Sequence, residues 1–89
     1  MKHQATNAFW TCYEALPFHI REQADRNFAL LKADPTHPSL QLKPVGRFWS
    51  VRVGLSWRAL AVHDNETQTL VWFWIGSHAE YDRLVGRKR

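Results

Sequence analysis

Phe48-Trp49-Ser50-Val51-Arg52-Val53-Gly54-Leu55-Ser56-Trp57-Arg58-Ala59-Leu60-Ala61-Val62-His63 is the stretch that decides how this chain folds. From Phe48 to Gly54, Trp49, Val51 and Val53 alternate with Ser50, Arg52 and Gly54, which is the period of a strand with one face against a core. Gly54-Leu55-Ser56 reads as a hairpin loop and Trp57 to His63 as the returning strand. A three-residue loop sets Arg52 and Arg58 opposite each other on neighbouring strands, sharing one face.

Downstream, Asp64-Asn65-Glu66 supplies a turn, and Thr69 to Ile75 forms another strand rich in β-branched and aromatic residues. Its faces, Val71, Phe73, Ile75 and Leu70, Trp72, Trp74, are both apolar, so it is expected inside the sheet, covered on both sides. Ser77-His78-Ala79-Glu80 matches the capping box that opens a helix, framed by Gly76 and Gly86. Upstream, Leu40 and Leu42 suggest a short strand and Pro44-Val45-Gly46 a bend. Asp34-Pro35-Thr36-His37-Pro38 excludes helix. Before it, Ile20, Ala24, Phe28 and Leu31 mark one face of a helix over Phe18–Ala33. Pro17 makes a corner. Phe9, Cys12, Tyr13 and Leu16 mark a first helix from Asn7 to Leu16. The expected fold is α+β: an N-terminal helical hairpin on a small curled antiparallel sheet of three to four strands, with a short C-terminal helix, all in a single domain over residues 1–89.

Composition narrows the classes of function. Eighty-nine residues make one core, and 45% hydrophobic with 22% charged residues is ordinary globular usage. No apolar run is long enough to cross a bilayer, and the first seven residues lack a signal peptide's apolar stretch, so a soluble cytoplasmic protein is expected. The single cysteine, Cys12, leaves no disulfide or thiolate zinc cage within the chain. His3, His19, His37 and His63 lack metal-ligand spacing, and no glycine-rich nucleotide cradle is present, so neither a metal nor a cofactor is expected. Twelve basic against eight acidic residues give a net charge of +4, which favours an anionic partner. Three of the basic residues are Arg87-Lys88-Arg89, read as a solvated tail.

Two guanidiniums side by side repel unless carboxylates answer them or an anion lies between them, and a phosphodiester fits that gap through bidentate hydrogen bonds. The bland alternative is structural pairing with acidic side chains of the helices. Lys43 and Arg47, flanking the Pro44–Gly46 bend, extend the same positive field, and Trp57 beside Arg58 is a candidate base-stacking platform. His78 opens the last helix with Tyr81 at i+3 and Asp82 at i+4 on the same side. A helix start welcomes phosphate, and an imidazole can pass a proton near neutrality. RNA cleavage by its own 2′-hydroxyl needs that set: a base, cations for the crowded phosphate and an acid. The bland alternative for His78 is a capping or packing histidine.

The order of these pieces resembles the RelE/ParE superfamily of toxins from bacterial toxin–antitoxin pairs. The likeness spans nearly the whole chain: Leu16-Pro17 between helices, Asp34-Pro35 before the sheet, Trp49-Ser50-Val51-Arg52-Val53-Gly54, Trp57-Arg58-Ala59-Leu60, and Trp74-Ile75-Gly76-Ser77-His78-Ala79-Glu80-Tyr81. The resemblance implies, for RelE-like members, metal-independent cleavage of mRNA in the ribosomal A site and neutralisation by a cognate antitoxin. By that likeness Arg58 stabilises phosphate charge, Arg52 supports it, His78 matches the C-terminal histidine of YafQ-like members, and Tyr81 falls near a functional tyrosine. Two departures stand out: Ser50 occupies a place where vigorous RelE nucleases tend to carry lysine, and His78 replaces a C-terminal arginine. ParE-like members, which act on DNA gyrase without cutting RNA, share the scaffold, and an inactive solitary member is a further alternative.

Overall fold

The computed structural model describes residues 1–86, so the terminal Arg87-Lys88-Arg89 lies outside the described residues. The hairpin read from Phe48 to His63 forms as β3 (Phe48–Val53) and β4 (Trp57–Asp64), closed by Gly54-Leu55-Ser56. Val53 pairs with Trp57 and Arg52 with Arg58, the register that the loop length predicts. Gly54 has φ +62°, in the left-handed region that glycine enters freely, and so lets the chain reverse in three residues. β5 (Thr69–Ser77) pairs antiparallel with β4 and lies inside the sheet, as its two apolar faces require.

Two parts of the sheet differ from expectation. The sheet has five strands in the order β1-β5-β4-β3-β2, and its first strand, β1 (Lys2–Ala5), pairs parallel to β5, so the sheet is mixed rather than antiparallel. The short strand β2 is Lys43–Val45, starting after Leu40 and Leu42, because Gln41 adopts φ +47° and breaks extended geometry there. Pro44 lies within β2, where an edge strand tolerates a missing N–H, and the bend falls on Gly46-Arg47, between the paired Val45 and Phe48.

Helix α1 (Asn7–Glu14) begins where the Thr6 hydroxyl accepts from the Phe9 N–H at 3.1 Å. Its last turn tightens, with Ala15 and Leu16 donating to carbonyls three residues back, as the chain prepares for Pro17. Helix α2 (Phe18–Ala33) has the bounds the apolar face predicts. Both pack on one side of the sheet, α1 along β5 and α2 against β3. There Leu16, Ile20 and Leu31 meet Val51, Val53, Ala59, Ala61, Leu70, Trp72 and Ile75 in the main core.

A β-bulge between Leu60 and Ala61 shifts the alternation of β5: Leu60 pairs with Trp74, but Ala61 pairs with Trp72. Trp72 and Ile75, expected on opposite faces, therefore both join the helix-side core. The other face carries Ser50, Leu60 and Trp74 in one row and Arg52, Arg58 and Gly76 in the next. Helix α3 (His78–Leu84) crosses β4 and β5 on this side, with Tyr81 buried.

Candidate functional site

Period two puts Arg52 and Arg58 on the sheet face away from α1 and α2, and cross-strand pairing makes them neighbours. No carboxylate of the described residues forms an ion pair with either one, which removes the structural-pairing alternative within that part of the chain. The Arg52 Nε donates to the Gly54 carbonyl at 2.9 Å, bending the side chain back over its own loop. Arg58 is half-buried, with its guanidinium carbon 5.2 Å from the centre of the Tyr81 ring, a cation–π contact. Its Nε and Nη1 are shielded from solvent and have no hydrogen-bond partner among the described residues. A buried donor without an acceptor costs about 1–3 kcal/mol, more when charged, and an arriving oxyanion would relieve that cost.

The start of α3 is fixed by the capping box. The Ser77 Oγ accepts from the Glu80 N–H, and Glu80 Oε1 accepts from the Ser77 N–H, each at 3.2 Å. The His78 N–H donates to the Ser56 carbonyl at 2.8 Å, pinning the helix to the β3–β4 loop two residues before Arg58. These bonds occupy the amides of Ser77, His78 and Glu80, which narrows what the helix start itself can offer an anion. His78 is half-exposed, its ring centroid 5.4 Å from that of Tyr81 and its Nδ1 3.5 Å from Asp82 Oδ2. That contact turns Nδ1 toward the carboxylate and leaves Nε2 on the far side of the ring. Tyr81 touches both the imidazole and the Arg58 guanidinium and thereby joins the two halves of the site.

Gly76 makes room for this arrangement. It pairs with Arg58 in β4, and a Cβ there would stand 2.5 Å from Trp74 Cζ2 and 2.8 Å from Glu80 Oε1.

The remaining candidates separate. Lys43 pairs with Ser50, so it lies on the arginine face, exposed at the sheet edge. Arg47 sits in the β2–β3 turn, five residues and roughly 16 Å of strand from Arg52, and does not join the cluster. Trp57 is turned the other way. It neighbours Arg58 in sequence, hence lies on the opposite face, where it packs against the helix-side core rather than beside the arginines. Strict alternation was the signal for it. Ser50 lies on the arginine face with no exposed surface, its Oγ unpartnered. A second feature leaves no local pattern in the chain: an apolar hollow of about 240 Å³ lies between α1, α2 and the sheet, lined by Phe9, Trp10, Tyr13, Phe28, Leu31 and Trp72 among others.

Fold and site define a small α+β domain with a cationic, histidine-bearing sheet face, and comparison with known proteins gives the class. Residues 19–83 match the family model of the ParE-like toxin domain, so the chain belongs to that family, within the RelE/ParE superfamily of toxins. Among solved structures, YafQ from E. coli strain BL21(DE3) is similar at a TM-score of 0.70, with 11% identity over 90% of this chain and 96% of that one. The toxin–antitoxin complex RelBE2 of Mycobacterium tuberculosis matches at a TM-score of 0.61, with 22% identity over 85% and 95% of the two chains. The RelB-RelE antitoxin-toxin complex of Methanococcus jannaschii matches at 0.69, with 15% identity over 90% and 96%. At these identities the likeness is one of fold. No curated protein sequence matches.

Proposed function

We propose that this chain is the toxin of a toxin–antitoxin pair and acts as a metal-independent endoribonuclease on mRNA in the ribosomal A site. The observation that carries this reading is Arg58: a half-buried guanidinium with two unpartnered donors, beside a second arginine and one aromatic ring away from an imidazole. A phosphodiester brings acceptors for those donors and offsets the repulsion between Arg52 and Arg58. The RNA 2′-hydroxyl then loses its proton and attacks phosphorus, the P–O5′ bond breaks, and the leaving oxygen takes up a proton. His78 moves one of these protons through Nε2, Asp82 holds the imidazole, and Tyr81 positions both His78 and Arg58. The arginines meet the charge that builds on the phosphoryl oxygens. Lys43 adds to the field from the sheet edge.

A cognate antitoxin fits the same reading. Several similar folds were solved as toxin–antitoxin complexes, and the apolar hollow under α1 and α2 offers a partner the area to bury.

The test is to map mRNA 5′ ends shortly after brief expression of the full chain, beside the double variant His78→Ala with Arg58→Ala. New ends that vanish in the variant, with its circular dichroism unchanged, support the reading; unchanged cutting defeats it. Ser50 favours a second reading. A fully buried serine where RelE nucleases tend to carry lysine offers no cation to RNA, which suits a non-enzymatic inhibitor of DNA gyrase. That reading expects lost gyrase supercoiling and no new RNA ends.

A further inference from the structure

The turn that carries the chain from α2 to the sheet holds a hydroxyl and an imidazole that the phosphate site does not use. Pro35, Pro38 and a hydrogen bond from the His37 N–H to the Asp34 carbonyl at 3.0 Å shape it. Within it, the Ser39 N–H donates to His37 Nδ1 at 3.2 Å, and the Ser39 Oγ lies 2.9 Å from the same nitrogen. A ring nitrogen that accepts from an amide carries no proton of its own, so the hydrogen of the neutral imidazole is on Nε2 and the Ser39 hydroxyl donates to Nδ1. A hydroxyl bonded to the lone pair of an imidazole is the pairing that makes serine a nucleophile. Ser39 is exposed and His37 half-buried.

This pair stands beside a cation. Leu40, next in the chain, accepts from the Arg52 N–H at 2.7 Å, which ties the turn to the edge of β3 beyond β2. Ser39 and Arg52 line one open space of about 300 Å³, together with Gln23, Asn27, Gly54 and Leu55. The Arg52 Nε is held by the Gly54 carbonyl at 2.9 Å, so its two outer nitrogens are left to meet an anion. The carboxylate of the turn is engaged elsewhere, since Asp34 Oδ1 accepts from the Thr36 hydroxyl at 3.0 Å.

We propose that Ser39 is a phosphorylation site, taking a phosphoryl group from a small acyl phosphate with His37 as the base, and that the phosphoserine binds Arg52 and so withdraws it from RNA. The hydroxyl proton passes to His37 Nδ1, an Oγ–P bond forms, and the P–O bond to the carboxylate breaks with its electron pair on the departing carboxylate. The imidazolium then gives a proton to water from Nε2. A carboxylate leaves without taking up a proton, which suits a pair that offers a base and a neighbouring cation. The product sets about two negative charges and three acceptor oxygens beside a guanidinium, a match for bidentate pairing. The loss of RNA cutting rests on the endoribonuclease reading above; the transfer to Ser39 does not.

Full-length protein is incubated with acetyl phosphate, and the position of any phosphoryl gain is read by peptide mass spectrometry. One phosphoryl group on Ser39 is expected, absent in Ser39→Ala and slowed at least about 100-fold in His37→Ala, with added imidazole restoring part of the rate. In phosphorus NMR the second ionisation of the phosphoserine, ordinarily at about 6, is expected about one unit lower, and Arg52→Gln returns it. On ribosomes carrying mRNA, Ser39→Ala cuts as the parent chain does, and the phosphorylated parent cuts at least about ten-fold less. A chain that gains no phosphoryl group, carries it on an imidazole, or gains it as well in Ser39→Ala or as fast in His37→Ala overturns the proposal. A phosphoserine whose ionisation ignores Arg52→Gln, or that leaves cutting undiminished, refutes the withdrawal of Arg52. If the unmodified chain cuts no RNA while Ser39 is phosphorylated and paired with Arg52, the nuclease reading fails and the acceptor site stands. If RNA is cut and Ser39 stays unmodified, the acceptor site alone is refuted.

Discussion

The two faces of the sheet obey different rules. Against α1 and α2, β3, β4 and β5 present Val51, Val53, Ala59, Ala61, Leu70, Trp72 and Ile75, an apolar surface of ordinary core chemistry. Under α3 the same strands present Ser50, Arg52, Arg58, Leu60 and Trp74, and two of these, Ser50 and Arg58, keep shielded polar atoms without partners. A face selected for stability alone would replace both. The difference teaches that the helix side holds the fold together and the α3 side spends part of that stability on a cationic site.

The sharpest way to break this comparison is Arg58→Met, which keeps length and removes charge. RNA cutting is expected to fall by at least about 100-fold while the melting temperature holds or rises, since a buried unsatisfied cation has gone. A variant that loses activity only in proportion to lost fold would erase the distinction between the faces. On the other side, Leu70→Ala, at a position with no exposed surface, should cost about 3 kcal/mol in denaturant titration and leave the activity of the folded fraction intact. Gly76→Ala drives a Cβ into the Trp74 ring and should cost about 1–3 kcal/mol, displacing α3 and lowering activity with stability, because this glycine serves both.

The smallest expected effect concerns His3 on β1. Its Nδ1 accepts from the Trp72 Nε1–H at 3.1 Å. Burial first, then the charges of the N-terminus and Lys32, hold its imidazole below the usual 6.5. The unfolded chain therefore takes up this proton before the folded one does. The His3 contribution is complete above 6.5 and fades as pH falls below that value toward the folded one. Thermal melts from about pH 7.5 to about pH 5 should show that decline, and His3→Gln should flatten it.

Much of the fold was legible because its elements carry clear periods. α2 and the β3–β4 hairpin follow from apolar spacing and loop length, and the pairing of Arg52 with Arg58 follows from the hairpin. The start of α3 was legible from Ser77 and Glu80. β1 was not: it is four residues long, three of them exposed, and a parallel pairing leaves no local pattern. The bulge at Leu60/Ala61 was equally hidden, and with it the turn of Trp72 and Ile75 to one side. In the site, type and order picked out Arg58, His78 and Tyr81, but Trp57 was assigned against its own alternation. The lack of a partner for Arg58 among the described residues and the apolar hollow between α1, α2 and the sheet depend on what surrounds them in space, which no local pattern encodes.

The pairing of β1 with β5 has a consequence for biosynthesis. Lys2 finds its neighbour only at Thr69, and Ala5 only at Trp72, so translation must run past both before the sheet can close. His78 and Tyr81 are added later still. A nascent chain emerging from a ribosome therefore holds its arginines without their imidazole until the last strand and the start of α3 have both been made.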